Sequence, residues 1–217
     1  MNEEKYDRDT EYWNEFYMND KGEHTPSLFA EYIWDSYLKN GNGNLLELGC
    51  GNGRDSAFFL SKGIMVTAID ASQNAIQALG SKYNGNSNAI FLCGDFVNYK
   101  YKQSYKYCYS RFSIHAISEE QESQLIKNLS DHIIKCGYLF IEVRSVNDEL
   151  YGKGKKVGEE SFVFDGHYRR FLRMGDLISK LENAGFIIDY ASEKRGFAPY
   201  KDEDPYVIRV IAKKSGR

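Results

Sequence analysis

Glycines at 49, 51 and 53, an acid just before them at Glu47 and a second acid at Asp70 are the residues best suited to hold a ligand. They fall in the run Glu47-Leu48-Gly49-Cys50-Gly51-Asn52-Gly53, between an apolar stretch ending at Leu48 and a helical pattern that begins near Asp55. Glycine lets a backbone turn sharply and approach a ligand, and the start of the following helix presents free N–H groups and a positive dipole end. This arrangement predicts an adenosine-bearing ligand. Its spacing is Gly-x-Gly-x-Gly, not the Gly-x-Gly-x-x-Gly that sets a pyrophosphate over a helix start. An acidic, carbonyl-rich loop suits an ammonium group instead.

A second set of residues has the chemistry for an acceptor. Arg111 and His115 lie in Tyr109-Ser110-Arg111-Phe112-Ser113-Ile114-His115, and Arg144 follows Glu142-Val143. Asp165-Gly166-His167-Tyr168-Arg169-Arg170-Phe171-Leu172-Arg173 then packs one histidine and three arginines into nine residues. Guanidinium forks match phosphate and carboxylate in two-pronged fashion, and histidine can take a proton from a hydroxyl near neutral pH. Arg111, His115, Arg144, His167 and Arg170 are therefore the expected catalytic or acceptor-binding residues. The glycine-flanked lysine tip around 150–156 suits a lid.

The elements that must position these residues alternate. Strands are predicted at 45–48, 65–69, 89–93, 105–109 and 138–143, with helices over 55–61 and from Ser72 toward Tyr83. Ser118 and Gln121 form a capping box for a further helix carrying Leu125, Ile126, Leu129 and Ile133 at helical spacing. Alternation of this kind predicts an α/β fold with a doubly wound, mostly parallel sheet and helices on both faces. Helical patterns at 10–17 and 27–39 suggest an N-terminal cover over 1–43, from which Tyr12, Trp13 and Tyr17 are placed to close over a ligand. After Arg144 the pattern breaks for about 25 residues, a length expected of a functional loop, so 145–173 is read as a lid or insertion. A helix at 175–184 and strands at 186–191 and 206–212 complete a single domain over 1–217.

The run Leu-Leu-Glu-Leu-Gly-Cys-Gly-Asn-Gly-Arg-Asp, from Leu45 to Asp55, resembles the first motif of class I S-adenosylmethionine-dependent methyltransferases. Asp70 at the end of Thr-Ala-Ile-Asp-Ala-Ser, the segment Gly94-Asp95-Phe96 and the closing strand hairpin are similar to further features of that family. The resemblance implies a seven-stranded Rossmann-like sheet with an antiparallel C-terminal strand. It implies S-adenosylmethionine bound by Glu47, Gly49, Gly51, Gly53 and Arg54, by Asp70 with Ala71, and by Asp95 and Phe96. The segment after the fourth strand is not the Asn/Asp-Pro-Pro-Tyr/Phe of base N-methylation, and no Pro-Cys nucleophile for cytosine C5 is present. The arginine- and histidine-bearing segments and the tail from Asp204 to Arg209 are similar to small bacterial methyltransferases of cell-surface polysaccharide and phosphorus-containing small molecules. That implies O-methylation of a small or nucleotide-linked acceptor, with methylation of protein or RNA, or a non-catalytic binding module, as the competing readings.

Bulk composition agrees with this. The 217 residues carry 28 basic and 31 acidic side chains, a formal charge of -3, so no global field favours nucleic acid or an anionic membrane. The four cysteines, Cys50, Cys93, Cys108 and Cys136, form no Cys-x-x-Cys pair, so no metal site is expected and a reducing, cytoplasmic setting is. No run of residues reads as a signal peptide or membrane span, and oligomeric state is not legible.

Overall fold

The computed structural model describes Asn14 and residues 25–216. The predicted helix at 10–17, with Tyr12, Trp13 and Tyr17, lies outside the described residues except for Asn14. The chain divides into two compact units, Met1–Lys100 and Tyr101–Arg217.

In the first unit, helix α1 (Leu28–Ile33) starts at Ser27, whose hydroxyl accepts the Ala30 N–H, and continues as a π-helical turn over Trp34–Leu38. Strand β1 (Asn44–Leu48), helix α2 (Arg54–Ser61), strand β2 (Met65–Asp70), helix α3 (Gln73–Lys82) and strand β3 (Ala89–Cys93) follow. The strands run parallel in the order β3-β2-β1. Buried Leu45, Leu46, Leu48, Val66 and Ile69 explain why β1 and β2 read as near-continuous apolar runs. Ser72 caps α3 as predicted, its hydroxyl accepting the Ala75 N–H.

In the second unit, strand β4 (Tyr105–Arg111) leads through a short 3-10 turn (Ile114–Ala116) to helix α4 (Glu119–His132), which carries the predicted Ser118–Gln121 capping box in both directions. Strand β5 (Ile133–Arg144) begins five residues earlier than expected, because its first part is bulged at Cys136, a non-glycine residue at φ 60. The break after Arg144 is not an irregular loop. Strands β6 (Lys155–Gly158), β7 (Ser161–Phe164) and β8 (His167–Arg170) make a three-stranded antiparallel sheet there. The rings of Tyr151, of Phe162 in β7 and of Phe171 pack edge to face on one another. Helix α5 (Met174–Asn183) and strands β9 (Phe186–Lys194) and β10 (Val207–Lys214) close the chain. The order in this unit is β4-β5-β10-β9, with β4 and β5 parallel and β10 antiparallel to both neighbours. The fold is thus the expected seven-stranded, mostly parallel sheet with its antiparallel C-terminal strand.

Candidate functional site

The glycine loop is built by backbone geometry that only glycine takes without strain. Gly49, Gly51 and Gly53 all have left-handed φ, at 67, 53 and 72. Gly49 N–H donates to the Ile69 carbonyl at 2.8 Å and Gly53 N–H to the Cys50 carbonyl at 2.9 Å, so the loop folds back over the end of β2. At Gly53 a Cβ atom would also lie 2.4 Å from the Leu79 side chain.

Three carboxylates converge beneath this loop. Glu47 is 4% exposed and accepts the Ser56 hydroxyl. Burial, with the fields of Asp55 and Asp70, pushes its carboxyl up to about 8 despite that hydrogen bond. Asp55 is fixed by Ser27, whose N–H and hydroxyl each reach one of its oxygens at 2.8 Å. Asp70 accepts the Gly51 N–H on Oδ2 and the Ser72 N–H on Oδ1, both at 2.8 Å; burial nonetheless raises its carboxyl above the ordinary value. Glu47 and Asp70, both raised by burial, with the field of Asp55 acting on Glu47, fit the ammonium and sulfonium charges of S-adenosylmethionine, and Asp70 fits a pair of ribose hydroxyls. Arg54 opens α2 and its charge partly offsets that of Glu47. Ala71 offers its carbonyl toward the Cys93 thiol at 3.7 Å. Asp95 accepts the Val97 N–H at 2.8 Å and the Asn98 amide at 2.7 Å, which shapes the turn at Gly94-Asp95-Phe96.

The second unit assembles the other predicted residues. His115, on the 3-10 turn, is 6% exposed, and its Nδ1 takes no hydrogen bond among the described residues. Its ring stands edge-on to His167, the first residue of β8, at 6.4 Å between centroids, and 5.8 Å from the Phe112 ring. Burial, the other histidine and the charges of Arg144, Arg169 and Arg170 hold His115 well below the usual imidazole value. Burial and the charges of Arg169 and Arg144 push His167 down to about 3. Both rings are neutral at pH 7, the form that can accept a proton.

The arginines are placed differently from one another. Arg144 gives Nη1 to both Asp148 oxygens at 3.0 Å and Nη2 to Glu203 at 3.3 Å. Arg170 donates from Nε to the Ile117 carbonyl at 2.9 Å and pairs with buried Glu122. Internal carboxylates engage both of these guanidinium groups, Asp148 and Glu203 at Arg144 and Glu122 at Arg170. Arg111 differs. Among the described residues it donates only Nε, to Glu142 Oε1 at 2.9 Å, and it lies 4.6 Å over the Phe112 ring. Glu142, read in the sequence as a charge beside Arg144 at the sheet edge, and Asp55 and Phe112, which fall within the quoted motifs, were not among the expected site residues. Phe112 has a left-handed φ of 52, rare for a bulky residue, which no sequence signal announces.

Residues 45–137 match the sequence profile of the family described as a methyltransferase domain. The chain is 26% identical over 136 residues to an uncharacterized methyltransferase of Staphylococcus carnosus, covering 62% of this chain and 64% of that protein. It is 29% identical over 107 residues to a probable S-adenosyl-L-methionine-dependent methyltransferase, TehB, of Haemophilus influenzae, covering 49% of this chain and 37% of that one. The chain thus spans less than two thirds of the length of these curated relatives. Among solved structures it resembles a SAM-dependent methyltransferase from Methanosarcina mazei, with TM-score 0.73, 19% identity, and 86% of this chain and 98% of that one covered. It also resembles the glycopeptide N-methyltransferase MtfA bound to S-adenosyl-L-methionine, with TM-score 0.67, 19% identity, and 92% and 91% covered. The matched profile thus covers less than half of the chain, and the sheet is similar in fold to these solved methyltransferases.

Proposed function

We propose that this chain methylates an oxygen of a small anionic acceptor, a sugar, phosphate, phosphoramidate, phosphonate or nucleotide-linked precursor, in cytoplasmic surface-glycan or related small-molecule synthesis. The observation that carries this reading is His115: a buried neutral imidazole with an unpartnered Nδ1, in the same cluster as Phe112 and Arg111. When bound, S-adenosylmethionine supplies an electrophilic methyl group on a sulfonium. Glu47 and the loop carbonyls face its ammonium, and Asp70 with Ala71 takes its ribose. Asp95 and Phe96 flank the adenine, and Gly49, Gly51, Gly53 and Arg54 shape the loop around it. His115 takes the proton of an acceptor hydroxyl as the oxygen attacks, with His167 packed edge-on to hold the ring. Arg111 binds the acceptor's anionic group. Arg144 and Arg170 act from behind, by depressing the histidines and fastening the β6–β8 sheet, which borders the acceptor.

A second reading shares the cofactor but takes an already ionised phosphate-like oxygen as nucleophile. Arg111 favours it, since such an acceptor needs orientation and no base. A methyl-transfer screen over sugar phosphates, nucleotide-linked sugars and phosphonates tests both. Turnover of a hydroxyl acceptor that collapses in His115→Ala supports the first, and turnover of a phosphonate that survives this change supports the second. Calorimetric titration that finds no heat with either S-adenosylmethionine or S-adenosylhomocysteine overturns both. No described helix is long and apolar enough to cross a membrane.

A further inference from the structure

Glu142 is almost fully buried near the end of β5 and divides its two oxygens between two arginines. Oε1 accepts Arg111 Nε at 2.9 Å, and Oε2 accepts Arg209 Nε, from β10, at 2.5 Å. Arg209 is held in turn from its other side: Nη2 donates to the Phe197 carbonyl at 2.7 Å and the guanidinium lies 4.1 Å over the Phe197 ring. Phe112 packs against the cluster of Phe197, Ala198 and Val207, so both ends of this chain of contacts rest on one apolar patch.

A lone Arg–carboxylate pair tends toward a two-pronged grip that uses two guanidinium nitrogens. Here Arg209 takes Oε2 and Arg111 takes Oε1. Arg111 is consequently held by Nε alone, and its two terminal nitrogens make no hydrogen bond among the described residues. Phe112 covers one face of the guanidinium. The left-handed backbone at Phe112, braced by its N–H on the Glu142 carbonyl at 2.9 Å, is a strained conformation of the kind kept at functional sites.

We infer that Glu142, shared with Arg209, is the positioning residue that presents the open fork of Arg111 to the acceptor's anionic group. This rests on the proposed role of Arg111. It extends the acceptor machinery to β10 and to the β9–β10 connection, which supplies Phe197. Glu142 itself touches no acceptor. Its carboxylate fixes the direction of the fork and, being shared between two cations, does not cancel the charge of Arg111.

The test uses the full chain with inorganic phosphate as probe, titrated in the presence of S-adenosylhomocysteine and followed by phosphorus NMR line broadening. The parent protein should bind phosphate and Arg111→Ala should lose it. Glu142→Gln should weaken binding about tenfold, the scale of one charge-assisted hydrogen bond, with S-adenosylhomocysteine affinity unchanged. Glu142→Asp, which keeps the charge, should recover part of the loss. Where Glu142→Gln does not fold, Arg209→Gln serves: with Oε2 released, Glu142 closes on Arg111 in the two-pronged manner and phosphate binding again falls. Phosphate affinity at the parent level in a folded Glu142→Gln or Arg209→Gln, with Arg111→Ala still defective, overturns the inference and leaves the role of Arg111 standing. Undiminished binding in Arg111→Ala, or no binding by the parent protein, overturns that role and the inference together.

Discussion

Arg170 near the end of the β6–β8 sheet is ion-paired with Glu122 in the first turn of α4, and both residues are buried. The same guanidinium reaches the Ile117 carbonyl, so one side chain ties β8 to both the turn carrying His115 and the helix that follows it. The segment that the sequence suggested as a hinged lid is anchored at this end.

Arg170→Met should therefore act on stability first. Removing one partner of a buried pair leaves an uncompensated charge, a cost of about 3–5 kcal/mol, lessened because Lys180 lies 3.5 Å from Glu122. Replacing both, as Arg170→Met with Glu122→Leu, should restore most of the loss. Urea unfolding of the two variants measures this; equal stability of Arg170→Met and the parent chain would show the pair to be inert.

Glu47 makes the ligand-free protein sensitive to alkali. Its carboxyl lies at about 8 in the fold against an ordinary 4.5, so the folded state favours the protonated form. The stability it contributes is complete below about pH 4.5 and is lost as pH rises toward 8, with a slope of at most about 1.4 kcal/mol per pH unit. Glu47→Gln should flatten this part of the stability profile. Binding of S-adenosylmethionine at pH 7 should release protons from the parent chain and not from the variant, seen as a buffer-dependent calorimetric heat.

The histidines set the acid limb in the opposite sense. His167 falls to about 3 and His115 also lies well below 6.5, so both are neutral in the fold and charged when unfolded in acid. Their contribution is complete above pH 6.5 and is lost as pH falls from 6.5 toward 3, together by up to about 2.7 kcal/mol per pH unit. His115→Phe should remove about half of that slope. An unaltered acid limb in this variant would mean that His115 is charged in the native state.

Cofactor and acceptor functions should separate by unit. Asp70→Ala should weaken S-adenosylhomocysteine binding by about tenfold or more, as expected when a carboxylate that accepts hydroxyl donors is removed. His115→Ala should bind the same ligand as the parent chain does while turnover collapses. Equal loss of binding in both variants, read by calorimetry, would move His115 to the cofactor side.

Much of this protein was legible in its residues alone. The glycine loop, the Ser72 and Ser118 caps and the apolar strands were readable because each depends on neighbours a few positions away, where backbone conformation and hydrogen bonding are local. The β6–β8 sheet was not. Its strands are four residues each and every residue of β6 is exposed, so no alternating apolar pattern marks them and only cross-strand pairing defines them. The arginines divide along the same line. The arginines at 111 and 170 announced an acidic partner, but whether that partner is an acceptor or the protein's own carboxylate depends on contacts 31 and 48 residues apart, and the sharing of Glu142 with Arg209 on one 67 apart. Residue type determines that a guanidinium seeks an anion; the tertiary structure alone decided that Arg170 finds Glu122, that Arg209 shares Glu142, and that among the described residues Arg111 is held by Nε alone.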